Sequence, residues 1–213
     1  MAIKKTTEVK DIDQVTLRVR SLTIPIVGET SLIVSEFGRK SLEQIKEIGE
    51  ARKGTKQGGK KKNIANPEED YLNSLYYFTD CKRTGFPAVG FKLAMVKAGY
   101  QVFKWPQTTL KAAIHVVGDG NSLANGEDLV EIHGEHRMRE DMVRVGTINK
   151  VASPRYRAEY PEWSAVLKIQ FLENVISEEA IYSILQAAGF ANGVGEWRPE
   201  RSGVHGKFSI AAL

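Results

Sequence analysis

The chain has 213 residues, of which 42% are hydrophobic and 26% charged, a balance typical of a folded globular protein and not of a disordered or fibrous one. Its formal net charge of +4 is modest, and its single cysteine, Cys81, excludes an internal disulfide framework and a multi-thiolate metal site. No run approaches the roughly 18 apolar residues of a membrane helix, and the N-terminal stretch lacks the apolar core of a signal peptide, so we expect a cytoplasmic protein that does not bind membranes.

The first half of the chain predicts one strand and three helices. Apolar and polar side chains alternate over 15–27, which predicts a long strand. A serine can cap a short helix over 41–50, and a proline followed by acidic residues begins a helical stretch over 67–78. Apolar residues at helical spacing over 88–99 predict a core helix.

The second half predicts further strands and one more helix. Alternating patterns predict strands over 109–117 and 164–172, and an Asn-Gly turn precedes a short strand over 128–133. A serine followed by two glutamates caps a helix over 177–188, and a last strand spans 206–211.

The order of these elements predicts the fold class. With segments at about 28–86 and 119–161 set aside, the order is strand, helix, strand, strand, helix, strand. This order predicts an α+β protein with a ferredoxin-like (split βαβ) antiparallel sheet core, in which the strands 15–27 and 164–172 lie side by side. The two segments set aside would be large insertions in a single domain over 1–213. Over 134–161 no hydrophobic period holds for long, apart from a short strand at 141–145.

The first insertion contains a strongly basic segment. From residue 51 to residue 64 the chain has six cations and no acid, with glycines between them and almost no apolar side chain to bury. Such a segment can be an arm that neutralises phosphates, or a solvated loop. We favour the arm, because like charges at this density repel one another unless a polyanion is present. Its candidate binding residues are Arg52, Lys53, Lys56, Lys60, Lys61 and Lys62.

A second basic set follows in the second insertion and near the C-terminus. Arginines beside aromatic residues suit phosphate contact and base stacking, although the same residues can also be ordinary positions of an exposed strand or a packed seam. The glycine-rich stretch 189–208 offers backbone N–H groups that a phosphate can approach closely. The candidates in these two places are Arg137, Arg139, Arg144, Arg155, Tyr156, Arg157, Arg198, Arg201 and Lys207.

Two resemblances accompany these patterns. The glycine-rich stretch between the last helix and the last strand resembles the signature of the RAMP superfamily, which includes the backbone subunit of class 1 CRISPR effector complexes. The opening LTIPIVGETSLIVSEF is similar to the first strand and turn of that group, although the glycine-rich stretch here contains Glu196, Trp197 and Pro199. The phrases FPAVGFK, RMREDMVRVG, YPEWSA and GVGEWRPER resemble uncharacterised phage and prophage proteins. These resemblances imply a RAMP-like domain and a phage protein working in the bacterial host cytoplasm.

No motif predicts catalysis, a cofactor or a metal site. The sequence has neither a phosphate-binding P-loop nor an H-E-x-x-H pair, and His115 and His133 alternate with apolar residues in predicted strands. We therefore expect a non-enzymatic protein that binds single-stranded DNA or RNA and self-assembles along the strand as a homo-oligomer. The alternatives are a protein-binding inhibitor of a host nucleic-acid machine and a structural virion component.

Overall fold

Antiparallel sheets and helices make up the parts of the chain that the computed structural model describes, residues 17–36, 66–145 and 151–211. The strands are β1 (Val19–Gly28), β2 (Leu32–Val34), β3 (Tyr76–Tyr77), β4 (Thr84–Pro87), β5 (Ile114–Val117), β6 (Gly120–Asn121), β7 (Asp128–Glu131), β8 (Arg137–Val145), β9 (Val151–Tyr160), β10 (Ser164–Leu172) and β11 (Phe208–Ile210). The α-helices are α1 (Pro67–Leu72), α2 (Ala88–Phe103), α3 (Gln107–Ala113) and α4 (Glu178–Ala187). A π-helical turn, Ala188–Asn192, extends α4, and a 3-10 turn spans Pro199–Arg201. The helix expected over 41–50 lies outside the described residues.

The central sheet has the strand order β11-β1-β10-β5, and every pairing in it is antiparallel. The β1–β10 ladder runs from Val19 opposite Leu172 to Val27 opposite Ser164. The prediction that these four strands share one sheet, with the first strand beside the strand at 164–172, is confirmed.

One face of the central sheet is buried. Along β10 the side chains of Ala165, Leu167, Ile169 and Phe171 are buried, whereas the residues between them are exposed or half-buried. These four belong to the same core as buried residues of α2 and α4, such as Phe91, Met95, Ile181, Ile184 and Leu185. Alternation along the strand thus leaves the opposite face of the sheet uncovered by the core.

Local sequence signals account for the helix ends. The Asn66 side chain accepts a hydrogen bond from the backbone N–H of Glu69 at the start of α1, and Ser177 does the same for Ala180 at the start of α4. Helix α2 continues four residues past the predicted end, to a left-handed Lys104.

Two predicted elements are wrong in part. The segment 109–117 is not one strand, because Thr109–Ala113 belongs to α3 and only Ile114–Val117 is extended. Leu110 and Ala113, three residues apart, both face the core from a helix, which a two-residue period cannot describe. The helix predicted over 67–78 ends at Leu72, because Tyr76–Tyr77 instead pairs with β4.

Over 134–161, where the sequence predicts only a short strand at 141–145, the structure has two long strands, and the predicted strand is the second half of β8. Strands β8 and β9 form a long antiparallel hairpin, in register from Arg137 opposite Glu159 to Val145 opposite Val151. This hairpin adds to β2 in the sheet β2-β9-β8, and a further sheet has the order β3-β4-β7-β6. Both sheets pair strands from the segment 28–87 with strands from the segment 119–161, so the two expected insertions fold against each other.

Among the described residues no helix is long and apolar enough to cross a membrane.

Truncation of side chains on the two faces of β10 should lower the free energy of unfolding by different amounts. Leu167→Ala should lower the free energy of unfolding by about 2–5 kcal/mol, because it leaves a cavity in the core. The neighbouring Val166→Ala, on a side chain 36% exposed, should cost less than about 1 kcal/mol. Denaturant unfolding of both variants measures the difference, and equal losses would contradict the assignment of the buried face.

Candidate nucleic-acid interface

The β8–β9 hairpin has one apolar face and one charged face. On the apolar side Ala158 and Tyr160 are buried, and the Ser74 hydroxyl accepts a hydrogen bond from the backbone N–H of Ala158 at 2.7 Å. Residues opposite each other in an antiparallel ladder point to the same side. The other side therefore carries six charged residues, which we call the charged face: Arg137, Arg139, Asp141, Arg155, Arg157 and Glu159.

A continuous ion network runs across the charged face. Arg139 and Arg157 lie directly opposite each other, a pairing of like charges that needs compensation. Asp141 supplies it, because its carboxylate accepts hydrogen bonds from Arg139 at 2.9 Å and from Arg157 at 3.1 Å. Glu159 accepts from Arg139 at 2.9 Å and from Arg137 at 3.0 Å. Each carboxylate thus joins two arginines, and the positions of their guanidinium groups are fixed.

The indole of Trp197 packs on this network. The guanidinium carbon of Arg157 lies 4.8 Å from the ring centroid and that of Arg139 lies 5.4 Å from it, both within cation-π range. Glu196 approaches Arg157 at 3.6 Å. The Arg157 side chain is only 7% exposed, and its Nε has no hydrogen-bond partner among the described residues.

Trp197 lies on a glycine-rich loop that is fastened to the turn after β1. The backbone N–H of Gly206 donates to the carbonyl of Ser31 at 2.8 Å, and that of Glu196 donates to the carbonyl of Ile33 at 2.8 Å. Gly206 has φ +69°, and a Cβ there would overlap the carbonyl of Val194, so only glycine permits this close approach.

Ser31 and His205 complete the polar environment between the loop and the hairpin. The Ser31 hydroxyl lies 2.9 Å from Nδ1 of His205. Burial lowers the pKa of His205, helped by the positive charge of Arg139, so this ring is neutral at pH 7. Burial opposes ionisation of Glu159, but hydrogen bonds from Ser31, Arg137 and Arg139 outweigh it and lower its pKa.

The predicted binding residues differ in their exposure to solvent and in whether they pair with carboxylates. Arg155 and Arg201 are exposed, and their guanidinium groups have no ion pair with a described residue. Arg137 is 67% exposed although it pairs with Glu159. Tyr156 is half-buried, with its hydroxyl 3.4 Å from Glu140.

The remaining predicted residues are held inside the structure or lie outside its description. Arg139 and Arg157 are committed to the ion network, and the buried Arg157 supports the hairpin instead of presenting its charge to solvent. Arg198 bonds Glu200 and the carbonyl of Gly195. Lys207 lies 3.7 Å from Glu29 and 4.8 Å from the centroid of the Phe190 ring. Arg144 belongs to β8, but its side chain is outside the described part of the chain, as are Arg52, Lys53, Lys56, Lys60, Lys61 and Lys62.

Sequence reasoning missed the residues that organise the site. Asp141, Glu159, Ser31 and His205 carried no motif, and Trp197 was noted only as a departure from a glycine-rich pattern. A signal existed in the hairpin, because charged residues recur at every second position from Arg137 to Asp141 and from Arg155 to Glu159.

No protein-family model matches the chain, and no curated protein matches it. Among solved structures, the fold is similar to the crystal structure of Cmr6 from Pyrococcus furiosus, with a TM-score of 0.42 and 10% sequence identity. The superposition covers 92% of this chain and 100% of that one. A similarity of this size assigns neither a family nor a function.

Because Asp141 joins two arginines of the ion network, its loss should lower the free energy of unfolding by a large amount. Asp141→Asn should lower the free energy of unfolding by about 3–5 kcal/mol, because it leaves the buried Arg157 with only the more distant and more exposed carboxylate of Glu196. Glu140→Gln, at the adjacent exposed position on the opposite face, should change it by less than about 0.5 kcal/mol. Denaturant unfolding compares them, and a small loss for Asp141→Asn would mean that the network does not hold the hairpin.

Glu159 predicts a defined pH dependence of stability. Its pKa is lowered in the folded protein, so ionised Glu159 contributes stability that is present above the unfolded pKa of about 4.3 and is lost as pH falls through the folded pKa. The parent should therefore exceed Glu159→Gln in unfolding free energy at pH 7, and this difference should shrink toward pH 3. A difference independent of pH would contradict the ionised pairing.

Proposed function

We propose that the chain is a phage-encoded protein with a ferredoxin-like, RAMP-like core that binds single-stranded nucleic acid without cleaving it. The observation that carries the proposal is the charged face, where four arginines outnumber the carboxylates of Asp141 and Glu159 even with Glu196 of the glycine-rich loop added. Because His205 is neutral at pH 7, the excess on this face comes from guanidinium groups that stay charged at all physiological pH values.

The open face of the central sheet has few side chains suited to binding a nucleic acid, which supports the choice of the charged face. Sheet faces that bind single strands use aromatic side chains to stack bases. Here the ladder brings Thr23 opposite Lys168 and Gln170 opposite His115, with no Phe, Tyr or Trp among the outward positions of the paired segments of β1, β10 and β5. Lys168 is moreover paired with Asp119 at 2.8 Å. The charged face and the loop therefore offer the better surface.

A preference for single strands follows from the kinds of groups available. Exposed guanidinium groups and the cations of the basic segment 51–64 can bind the phosphates of a pliable backbone. Aromatic rings can stack only on bases that are not already paired and stacked in a duplex; of the predicted residues, Tyr156 could do so from the other face of the hairpin, where it lies opposite Glu140.

Self-assembly along the strand is the further part of the proposal. Helix α2 exposes Val89, Leu93, Tyr100 and Phe103, each more than two-fifths accessible. Exposed apolar groups of this kind suit contact with another protein surface. The same residues equally suit the alternative of an inhibitor that docks on a host protein.

The binding proposal predicts the salt dependence of affinity. If about six phosphates are neutralised, log affinity for a single-stranded oligonucleotide should fall with log salt at a slope of roughly −4. Replacing Lys60 and Lys61 by alanine should flatten this slope by about 1.4, because two contacts no longer release counterions. Fluorescence anisotropy of a labelled strand across a salt series measures both slopes.

The matched control replaces Lys82 and Lys111, two exposed lysines outside the proposed surface, and should leave the slope unchanged. Equal effects of the two double variants would reduce the binding to non-specific attraction by net charge. The labelled strands, resolved on a denaturing gel after incubation, should stay full length; shortened products would contradict the non-catalytic part of the proposal.

A further inference from the structure

Trp197 occupies a backbone conformation that a tryptophan rarely adopts. Its φ is +50°, in the left-handed region, which costs an L-residue roughly 1–2 kcal/mol and which glycine would adopt without strain. The neighbouring Gly193, Gly195 and Gly206 have positive φ as well, so glycine is the usual choice in this loop. A large indole is therefore held here against the local conformational preference, which is typical of a functional position.

The position of the indole is also fixed in advance. Its ring lies on the guanidinium groups of Arg157 and Arg139, which Asp141 and Glu159 hold in place. The carbonyl of Trp197 accepts a hydrogen bond from the backbone N–H of His205 at 3.1 Å, which closes the loop behind it. The side chain still keeps 37% of its surface exposed to solvent.

Arg157 gives a second, independent sign that this arrangement serves more than stability. Its side chain is more than nine-tenths buried, yet Nε has no acceptor among the described residues. A buried donor without a partner costs about 1–3 kcal/mol. The structure thus retains an incompletely satisfied guanidinium directly beneath an exposed ring.

We propose that Trp197 is a stacking platform for one unpaired base of the bound strand, an inference that rests on the proposed nucleic-acid binding. The base lies on the solvent-exposed part of the indole, whose orientation is set by the two arginines. The guanidinium groups of Arg155, on the charged face, and Arg201, in the 3-10 turn after Trp197, have no ion pair with a described residue, and they neutralise the flanking phosphates. A cationic surrounding of this kind favours a polyanion over an apolar peptide as the occupant of the ring.

The first test compares two aromatic side chains of equal exposure. Trp197→Leu should weaken binding of a short oligodeoxythymidine by about 5-fold to 160-fold, which corresponds to the loss of one stacked base, and should leave the salt slope unchanged. Tyr182→Leu removes an aromatic ring that is 38% exposed on α4, and it should bind like the parent. Equal affinities of parent and Trp197→Leu would overturn the inference.

The second test removes the base and not the side chain. A strand with an intact phosphate backbone but abasic sites offers nothing for the indole to stack on. The penalty of Trp197→Leu should therefore disappear on the abasic strand, whereas a penalty that persists there would mean that Trp197 acts only by holding the arginines.

Intrinsic fluorescence provides a test that does not depend on the folding of Trp197→Leu. Binding should quench the emission of the parent, and Trp197→Phe should bind but lose most of the quenching, because Trp163 is buried and Trp105 is half-buried against the core, outside the proposed surface. Unchanged quenching in Trp197→Phe would overturn the inference. If the parent itself binds no single strand at low salt, the proposed function fails; if it binds and only the Trp197 effects are missing, this inference alone fails.

Discussion

The compensation of one buried charge connects the parts of this structure. Arg157 belongs to β9, its carboxylate partner Asp141 to β8, and the ring that covers it to the glycine-rich loop near the C-terminus. A guanidinium removed from water is tolerated only with a partner and dense hydrogen bonding. If the hairpin separated from the loop, the guanidinium group of Arg157 would therefore lose the indole that covers it. The loop in turn is bonded to the carbonyls of Ser31 and Ile33, so the turn after β1 is part of the same unit.

This constraint divides the arginines by role. Arg139 and Arg157 are occupied by carboxylates and by an indole, and their charge shapes the surface without reaching out from it. Arg155 and Arg201 have no such partners in the described part of the chain, where both are exposed to solvent. A set of basic residues chosen from the sequence therefore includes both arginines that stabilise the fold and arginines that could bind a ligand. Only the structure, which shows which arginines pair with carboxylates, separates the two kinds. On this face of the hairpin, the paired arginines and carboxylates stabilise the structure, and the exposed arginines at its edge are the ones that could bind an anion.

The same distinction explains what the sequence could predict. The central sheet was predictable, because its strands alternate apolar and polar residues, as Ala165 to Phe171 do, and its partners follow from the order of elements. The hairpin was not predictable in this way, because the residues that alternate along it are arginine, aspartate and glutamate. A search for alternating hydrophobic residues does not detect them. The segment 109–113 failed for the opposite reason: its apolar residues fit a short helix as well as a strand. Trp197 needs tertiary structure for its interpretation, since Arg139 and Arg157 are distant from it in sequence.

The location of the charged face also bears on how a strand could be bound. The hairpin pairs with β2 in its own sheet, and the bridge between His133 and Ser164 connects the segment before β8 to the start of β10 in the central sheet. The ion network holds the arginines of the charged face in fixed positions. On the proposed function, this cationic surface with its fixed ring would set the register of a bound strand, while the basic segment 51–64 would add attraction without specifying position. Affinity and register would then arise from different parts of the chain, the first sensitive to salt and the second to the geometry around Arg157.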